Sequence, residues 1–296
     1  RTVHQFKERN MSNLKNLALK AQGLLNAYTD DKISLEDYHK LPEKSAHFLM
    51  DVVGKNCSKA ERNQEHPNKP TKAMTNGTLI HTAIETRDIE KYYACEPPDI
   101  NKRTKAGKLE LELFYKSIGD RIPISQDQWD MAVGCMDAAW SDKYARPYLE
   151  YAKFERSGFA KINGIKVKAR PDLDNYESHR TLVDIKSRQK DKSDEPSWNR
   201  DWWNSKTYLQ AGLQLLVWEK LNIPCEEYYY LLVEVEDPYD VNLVYLGEEL
   251  MEISKKRTLD AIQKWKSWIG AGSPKGYGKP QEMQTKPWYR SQDQTI

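Results

Sequence analysis

The chain has 296 residues, 39% of them hydrophobic and including nine Trp and seventeen Tyr, which is enough apolar material for the core of one elaborated α/β domain. Its 30% charged residues and mean hydropathy of −0.85 describe a very polar surface; no apolar run approaches the roughly 20 residues that span a bilayer, and the first residues show no apolar leader, so a cytoplasmic protein with no membrane partner is expected. Neither the net charge of +2, a balance of 46 basic against 44 acidic residues, nor four scattered cysteines without a C-x-x-C pair points to a partner or a zinc or redox site, because charge acts through its distribution and metals need clustered thiolates.

In chain order, the leucines at 14, 17, 19, 24 and 25 predict an amphipathic helix over residues 11–27, ended by Thr29, Asp30 and Asp31. Ser34 is a good N-cap for a short helical stretch that extends towards residue 53 and is interrupted near Pro42. Residues 54–70 are polar and hold two prolines, which predicts a loop. A capped helix start over 75–85 sets Thr78, His81 and Glu85 along one face, and two further helices are expected over 104–117 and 125–140.

At about residue 150 the period changes to two. A hairpin is predicted over 150–170, with one strand at 154–160, an Asn163-Gly164 turn, and Ile165, Val167 and Ala169 alternating on the return strand. A short apolar strand follows at 181–185, then a polar and aromatic loop at 187–203. A helix is expected at 208–220, strands at 228–234 and 241–246, and a long amphipathic helix at 248–268. The sum is an α/β (α+β) fold with a central mixed sheet flanked by helices: a single domain over 1–296, with a helical N-terminal part to about 149, a catalytic sheet core at about 150–269 and a loose tail from about 270.

One constellation carries chemistry. Arg170-Pro171-Asp172 is read at one strand end and Asp184-Ile185-Lys186 at the next, so two carboxylates and an ammonium converge. Phosphodiester hydrolysis needs hard oxygen ligands for Mg²⁺, a positioned water and positive charge opposite the phosphoryl oxygens. Asp184 and Lys186, two apart on a strand, face one side while the Ile185 side chain faces the core; the Ile185 carbonyl is a further candidate ligand. Alone, an Asp-Ile-Lys run is common on strand edges. The upstream Pro171-Asp172 at hairpin distance, and Glu155 on the first hairpin strand, give it weight.

With those residues in view, the chain resembles the RecE-type exonucleases (exodeoxyribonuclease VIII) of the PD-(D/E)xK nuclease superfamily. The resemblance runs through Tyr38-His39, Gly77-Thr78 with His81 and Glu85, Asn101-Lys102-Arg103-Thr104 with Gly107-Lys108, Glu155, Arg170-Pro171-Asp172, Asp184-Ile185-Lys186 and Tyr208-Leu209-Gln210. Gln214 departs from it, standing where related nucleases often carry Tyr. The resemblance implies a restriction-endonuclease-like core and an enzyme that degrades one strand of linear duplex DNA from the 5′ end. It also implies 3′ single-stranded tails passed to a single-strand annealing protein of the RecT type, and a ring-like homo-oligomer.

The roles then expected are Asp172 and Asp184 as ligands of Mg²⁺ (or Mn²⁺), Glu155 and His81 at a second ion roughly 3.5–4 Å away, and Lys186 orienting the attacking water. Gln210 would touch the scissile phosphate or hold Lys186. Without the resemblance, His81 reads as a helix histidine bonded to Thr78 or Glu85. Arg103, Lys105 and Lys108 at a helix start would take a terminal phosphate. Arg188, Lys190, Lys192 and Arg200, interleaved with Trp198, Trp202 and Trp203, would contact the DNA backbone and stack on bases, unless the tryptophans anchor the loop to the core. The rival readings are a structure-selective or restriction-type endonuclease of the same superfamily and a catalytically inactive DNA-binding scaffold. No G-x-x-x-x-G-K-[ST] run exists, so no nucleotide triphosphate is expected.

Overall fold

The computed structural model describes residues 27–98, 100–101 and 103–276. Except for Ala27, the helix expected over 11–27 lies outside the described residues, as does the tail beyond residue 276. Ala27 opens a strand, β1 (Ala27–Asp30), followed by α1 (Leu35–Lys40) and α2 (Ala46–Gly54), so the stretch interrupted at Pro42 is two helices, capped by Ser34 and Ser45. The segment 54–70, expected as a loop, instead contains α3 (Cys57–Glu65). Its sequence has no apolar stripe because only Cys57 and Ala60 are buried, and the helix is set by the Asn56 side chain, which accepts the Lys59 N–H at 2.8 Å.

Helix α4 (Lys72–Thr86) starts one turn earlier than expected, capped by Thr71. An excursion follows in which β2 (Tyr93–Cys95) and β3 (Ile122–Ile124) pair in parallel around α5 (Lys105–Ser117), capped by Thr104. Helix α6 (Gln126–Ser141) carries a capping box of Ser125 and Gln128 and leads to α7 (Arg146–Glu150).

The hairpin region contains β4 (Lys153–Phe154), β5 (Ser157–Ile162) and β6 (Ile165–Ala169). Asn163 and Gly164 have φ of 49° and 88°, as a two-residue hairpin turn requires. The expected continuous strand 154–160 is broken at Glu155, whose φ of 53° bends the chain, and β4 and β5 enter different sheets. Then come β7 (Leu173–Asn175), α8 (Tyr176–His179), β8 (Thr181–Arg188), α9 (Glu195–Ser205), α10 (Tyr208–Lys220), β9 (Glu227–Glu234), β10 (Val241–Leu246) and α11 (Glu248–Gly270).

The main sheet has the order β10-β9-β8-β7-β4, parallel between β8 and β9 and antiparallel elsewhere; β1, β5 and β6 form a second sheet. β1 thus ties the N-terminal part to the sheet core, so the expected division near residue 149 is not purely helical on its first side. Strand β8 is buried on both faces. Leu182 joins Trp202, Leu209, Trp218, Tyr228 and Tyr230 beneath α9 and α10, while Val183 and Ile185 join Leu79, Ile80, Ala132 and Leu231 beneath α4 and α6.

The expected loop at 187–203 is largely ordered as the end of β8 and as α9. Its turn is held by the Glu234 carboxylate, which accepts the N–H groups of Asp191, Lys192 and Ser193 at 3.0–3.1 Å. Helix α9 has no clean apolar period because its anchors are aromatic: Trp198 and Trp202 are 5% and 1% exposed, and Trp202 Nε1 donates to the Tyr230 hydroxyl at 2.8 Å. Helices α10 and α11 touch at Gly212, where an added Cβ would lie 2.2 Å from the Ser254 carbonyl oxygen. Gly212→Ala should therefore destabilise the fold by about 1–3 kcal/mol, read as a lower midpoint in urea unfolding with an unchanged slope. An unchanged midpoint would show that the two helices can part without cost.

Candidate active site

Strand β8 delivers Asp184 and Lys186 to the α10 side of the sheet, as the period of two requires. Asp184 is 0% exposed, and its carboxylate is paired with the Lys186 ammonium. One turn of α10 supplies two amides. Gln210 Nε2 donates to Asp184 Oδ1 at 2.7 Å while Gln210 Oε1 accepts from Lys186 Nζ at 3.1 Å, so one side chain bridges both groups. Gln214 Nε2 reaches the same Asp184 oxygen at 3.4 Å and the Arg170 carbonyl at 3.3 Å, and its Oε1 accepts from the Tyr228 hydroxyl at 2.6 Å.

Asp172 lies in the link between β6 and β7 rather than at a strand end. Its Oδ2 accepts the Ile185 N–H at 2.6 Å, which fastens it beside the middle of β8. Its Oδ1 lies 3.4 Å from His81 Nδ1, presented by α4. Glu155, swung inward by the bend between β4 and β5, is held by Arg170, whose Nε is 3.0 Å from Glu155 Oε2 and donates to the Glu155 carbonyl at 2.7 Å. Arg170 also donates to the Ile33 carbonyl at 2.8 Å and lies over the Tyr38 ring at 5.1 Å, so the Tyr38-His39 pair serves partly as a platform for this clamp.

The electrostatics show a surplus of negative charge. Burial, with Asp172 close by, raises Glu155 from 4.5 to about 7 and Asp184 from 3.8 to about 6. Burial also opposes ionisation of Asp172, but His81, Lys186 and the Ile185 N–H prevail and hold it below its ordinary value. His81 shows the reverse balance: burial disfavours its charge, yet Asp172 lifts it to about 9. Lys186 keeps its charge against burial through Asp184 and Asp172. His81 and Lys186 retain 27% and 25% side-chain exposure, so the cluster opens onto a cleft.

This donor set fits a divalent cation. Ligand atoms of His81, Glu155 and Asp172 all lie within 4.8 Å of one another, and the raised carboxyls are those a cation would relieve. The grouping differs from the expected one: Asp172 belongs with His81 and Glu155, while Asp184 is engaged by Lys186 and Gln210. The Ile185 side chain is 2% exposed and packs on the α4 side, as its register requires.

Other expected contacts do not gather here. Arg103, Lys105 and Lys108 sit exposed at the start of α5. Arg188 is bonded to Asp201 at 2.7 Å and lies over the Trp198 ring at 5.1 Å, and Trp198 itself is in the core against Tyr230, so neither offers a free surface for stacking on bases. In turn, the site recruits residues without a strong local signal. Arg170 and Gln214 act as described, burial raises Glu85 above its ordinary value against the pull of Arg170 and His81, and burial together with the Lys186 charge lowers His47 in the first turn of α2. The sequence showed Arg170 beside Asp172, Gln214 one turn after Gln210 and Glu85 on the His81 face of α4, but not the contacts that these residues make.

A family model described as a PDDEXK-like domain of unknown function (DUF3799) matches residues 53–279. A crystal structure described as a "Putative exonuclease" from Eubacterium rectale superposes with a TM-score of 0.56 at 12% identity, covering 82% of this chain and 88% of the other. A phage-related exonuclease from Haemophilus somnus 129PT, 14% identical over 78% of this chain and 96% of its own, superposes with a TM-score of 0.30, too low to support a comparison of folds. No curated protein matches the sequence. The shared architecture is the restriction-endonuclease-like fold.

Burial, reinforced by charge crowding, makes stability depend on pH in the presence of EDTA. Glu155 (4.5 to about 7) and Asp184 (3.8 to about 6) keep their protons in the folded state where the unfolded chain has lost them, so their contribution falls as pH rises through those windows. His81, raised from 6.5 to about 9, contributes fully below 6.5 and loses that contribution as pH rises through about 9, in the same direction. Melting curves of Glu155→Gln should therefore show a shallower loss of stability between pH 4.5 and about 7 than the parent. Equal slopes would show that Glu155 does not hold its proton in the folded state.

Proposed function

Because the chain belongs to the PDDEXK-like family DUF3799, we propose that it is a Mg²⁺-dependent exodeoxyribonuclease that digests one strand of linear duplex DNA from the 5′ end. Family membership supports a nuclease function and divalent-metal dependence. One observation carries the reading to these residues: Asp172, Asp184 and Lys186, contributed by a link and a strand, meet at one cleft beside His81 and Glu155.

Asp172 and Asp184, with Glu155 and His81, would hold the metal, which supplies positive charge to the phosphoryl oxygens and a water of lowered pKa when bound. Lys186 directs its ammonium into the cleft and orients the attacking water against the phosphorus. Gln210 fixes that ammonium relative to Asp184, so the charge arrives at one place rather than sweeping a cone. Gln214, tied to Tyr228 and the Arg170 carbonyl, holds the Asp184 carboxylate in place from the α10 side. Arg170 holds Glu155 by its Nε and prevents that carboxylate from turning to solvent. The buried Tyr228 and Trp218 beneath the site exclude bulk water on the sheet side. The same proposal includes 3′ single-stranded tails passed to an annealing protein of the RecT type, and a ring-like homo-oligomer around DNA.

End-labelled linear duplex and covalently closed circular DNA should be incubated with Mg²⁺ or EDTA. Metal-dependent loss of the linear substrate alone, with 3′ tails accumulating, is expected. Cutting of the circle would make the protein an endonuclease, and inertness towards both would make it a binding scaffold. In the same assay, Asp184→Ala and Lys186→Met should each lower turnover by roughly a hundredfold or more, and Gln210→Ala by roughly 10–100-fold, as loss of an orienting partner does. Full activity in folded Asp184→Ala protein would remove the metal assignment.

A further inference from the structure

The two edges of the main sheet differ. At one end, β4 is only two residues long and Lys153 within it pairs with Glu177, which blunts that edge. At the other end, β10 runs six residues, Val-Asn-Leu-Val-Tyr-Leu, with neither a charge nor a proline. Glu234 N–H donates to the Asp240 carbonyl at 2.9 Å, and the register sets Val241 opposite Val233. Asn242, Val244 and Leu246 therefore bond to β9, and the backbone N–H and C=O groups of Val241, Leu243 and Tyr245 point outward. Among the described residues, no hydrogen bond reaches those outward groups.

Beside this edge lies a cavity of about 690 Å³ lined by Tyr144, Tyr148, His179, Tyr229, Val241 and Leu243. The Tyr148 ring touches those of His179 and Tyr229, with centroids 5.1 and 5.0 Å away. Tyr245, on the same face of β10, is 66% exposed. An uncharged strand edge, a cavity and a projecting aromatic thus occupy one continuous surface.

We infer that β10 pairs antiparallel with β10 of a second copy of this chain, so that the two main sheets join into one. A two-fold axis through Leu243 sets Leu243 opposite Leu243 and Val241 opposite Tyr245 of the other copy, and all six outward groups on each strand find partners. The opposed side chains share one face of the joined sheet, so each exposed Tyr245 lies at the mouth of the other copy's cavity, next to Val241. No pair in this register brings like charges together. A second copy fits better than an unrelated peptide because the chain itself supplies the aromatic that the cavity takes, and an isologous contact closes, leaving no open edge to propagate. The inference rests on the edge and the cavity, independently of the nuclease reading; a two-fold pair does not by itself close a ring around DNA, which would need a second, different contact between such pairs.

Analytical ultracentrifugation of the full chain tests it, together with two variants. The parent should sediment as a species containing the β10 pair, and Tyr245→Lys, at an exposed position, should weaken that association at least roughly 30-fold, the loss of one interface hot spot. Leu243→Cys should form an intermolecular disulfide on mild oxidation, because opposed residues in such a pair have Cα atoms about 5.5 Å apart, and the parent with its own four cysteines should not. A monomeric parent at tens of micromolar would overturn the inference. So would an oligomer indifferent to Tyr245→Lys, or one in which Leu243→Cys fails to cross-link.

Discussion

The fold is arranged around a carboxylate at the centre of its central strand. Asp184 is fully buried on β8, and a lone ionised carboxylate there would cost several kcal/mol. Its neighbours answer that cost. Lys186 stands on the same face two residues on, Gln210 and Gln214 extend from the buried part of a largely apolar helix, and Tyr228 and Arg170 fix Gln214 in turn. The apolar side chains of α10 bury the helix, and its two glutamines point to the one strand position that needs them.

That arrangement engages Asp184 without cancelling the burial that lifts its carboxyl to about 6, and the surrounding charge stays unbalanced. Asp172, Glu155 and Glu85 converge from a link, a bend and a helix, and the cations facing them are His81, Lys186 and Arg170. Burial, with this crowding added, makes three carboxyls, Glu155, Asp184 and Glu85, hold their protons more tightly than in water. Charge crowding of this kind works against stability and in favour of cation binding, because a divalent ion is the partner that relieves several carboxylates at once. The positive φ of Glu155 belongs to the same pattern: a backbone conformation uncommon for this residue turns its side chain from the sheet surface into the cleft.

Outside the cleft, polar contacts serve the fold. Glu234 binds three successive backbone N–H groups and turns the chain from β8 into α9, and Lys168 donates to the carbonyls of Tyr38 and Leu41, fixing the end of α1 against β6. These groups are legible only as charged residues in sequence, because the backbone atoms they satisfy come from distant or irregular segments.

By itself, the sequence determined the short apolar strand within β8, the strand β9, the Asn163-Gly164 hairpin, the long helices of the second half and the shared face of Asp184 and Lys186, because each depends on spacing within a few residues. Asp184 and Lys186 share a face by the geometry of a strand, whatever surrounds them. Tertiary structure decided the rest. Whether 57–65 and 195–205 were helices depended on caps and on aromatic anchors with no clean period. That Trp198 and Trp202 face the core, while Trp203 stays exposed, depended on Tyr230, which lies about thirty residues away along the chain. Which carboxylates gathered with His81 depended on a bend at Glu155 and a single hydrogen bond from Ile185 to Asp172. Spacing along a chain specifies the direction of a side chain within its own element, and only the packing of elements specifies what that side chain meets.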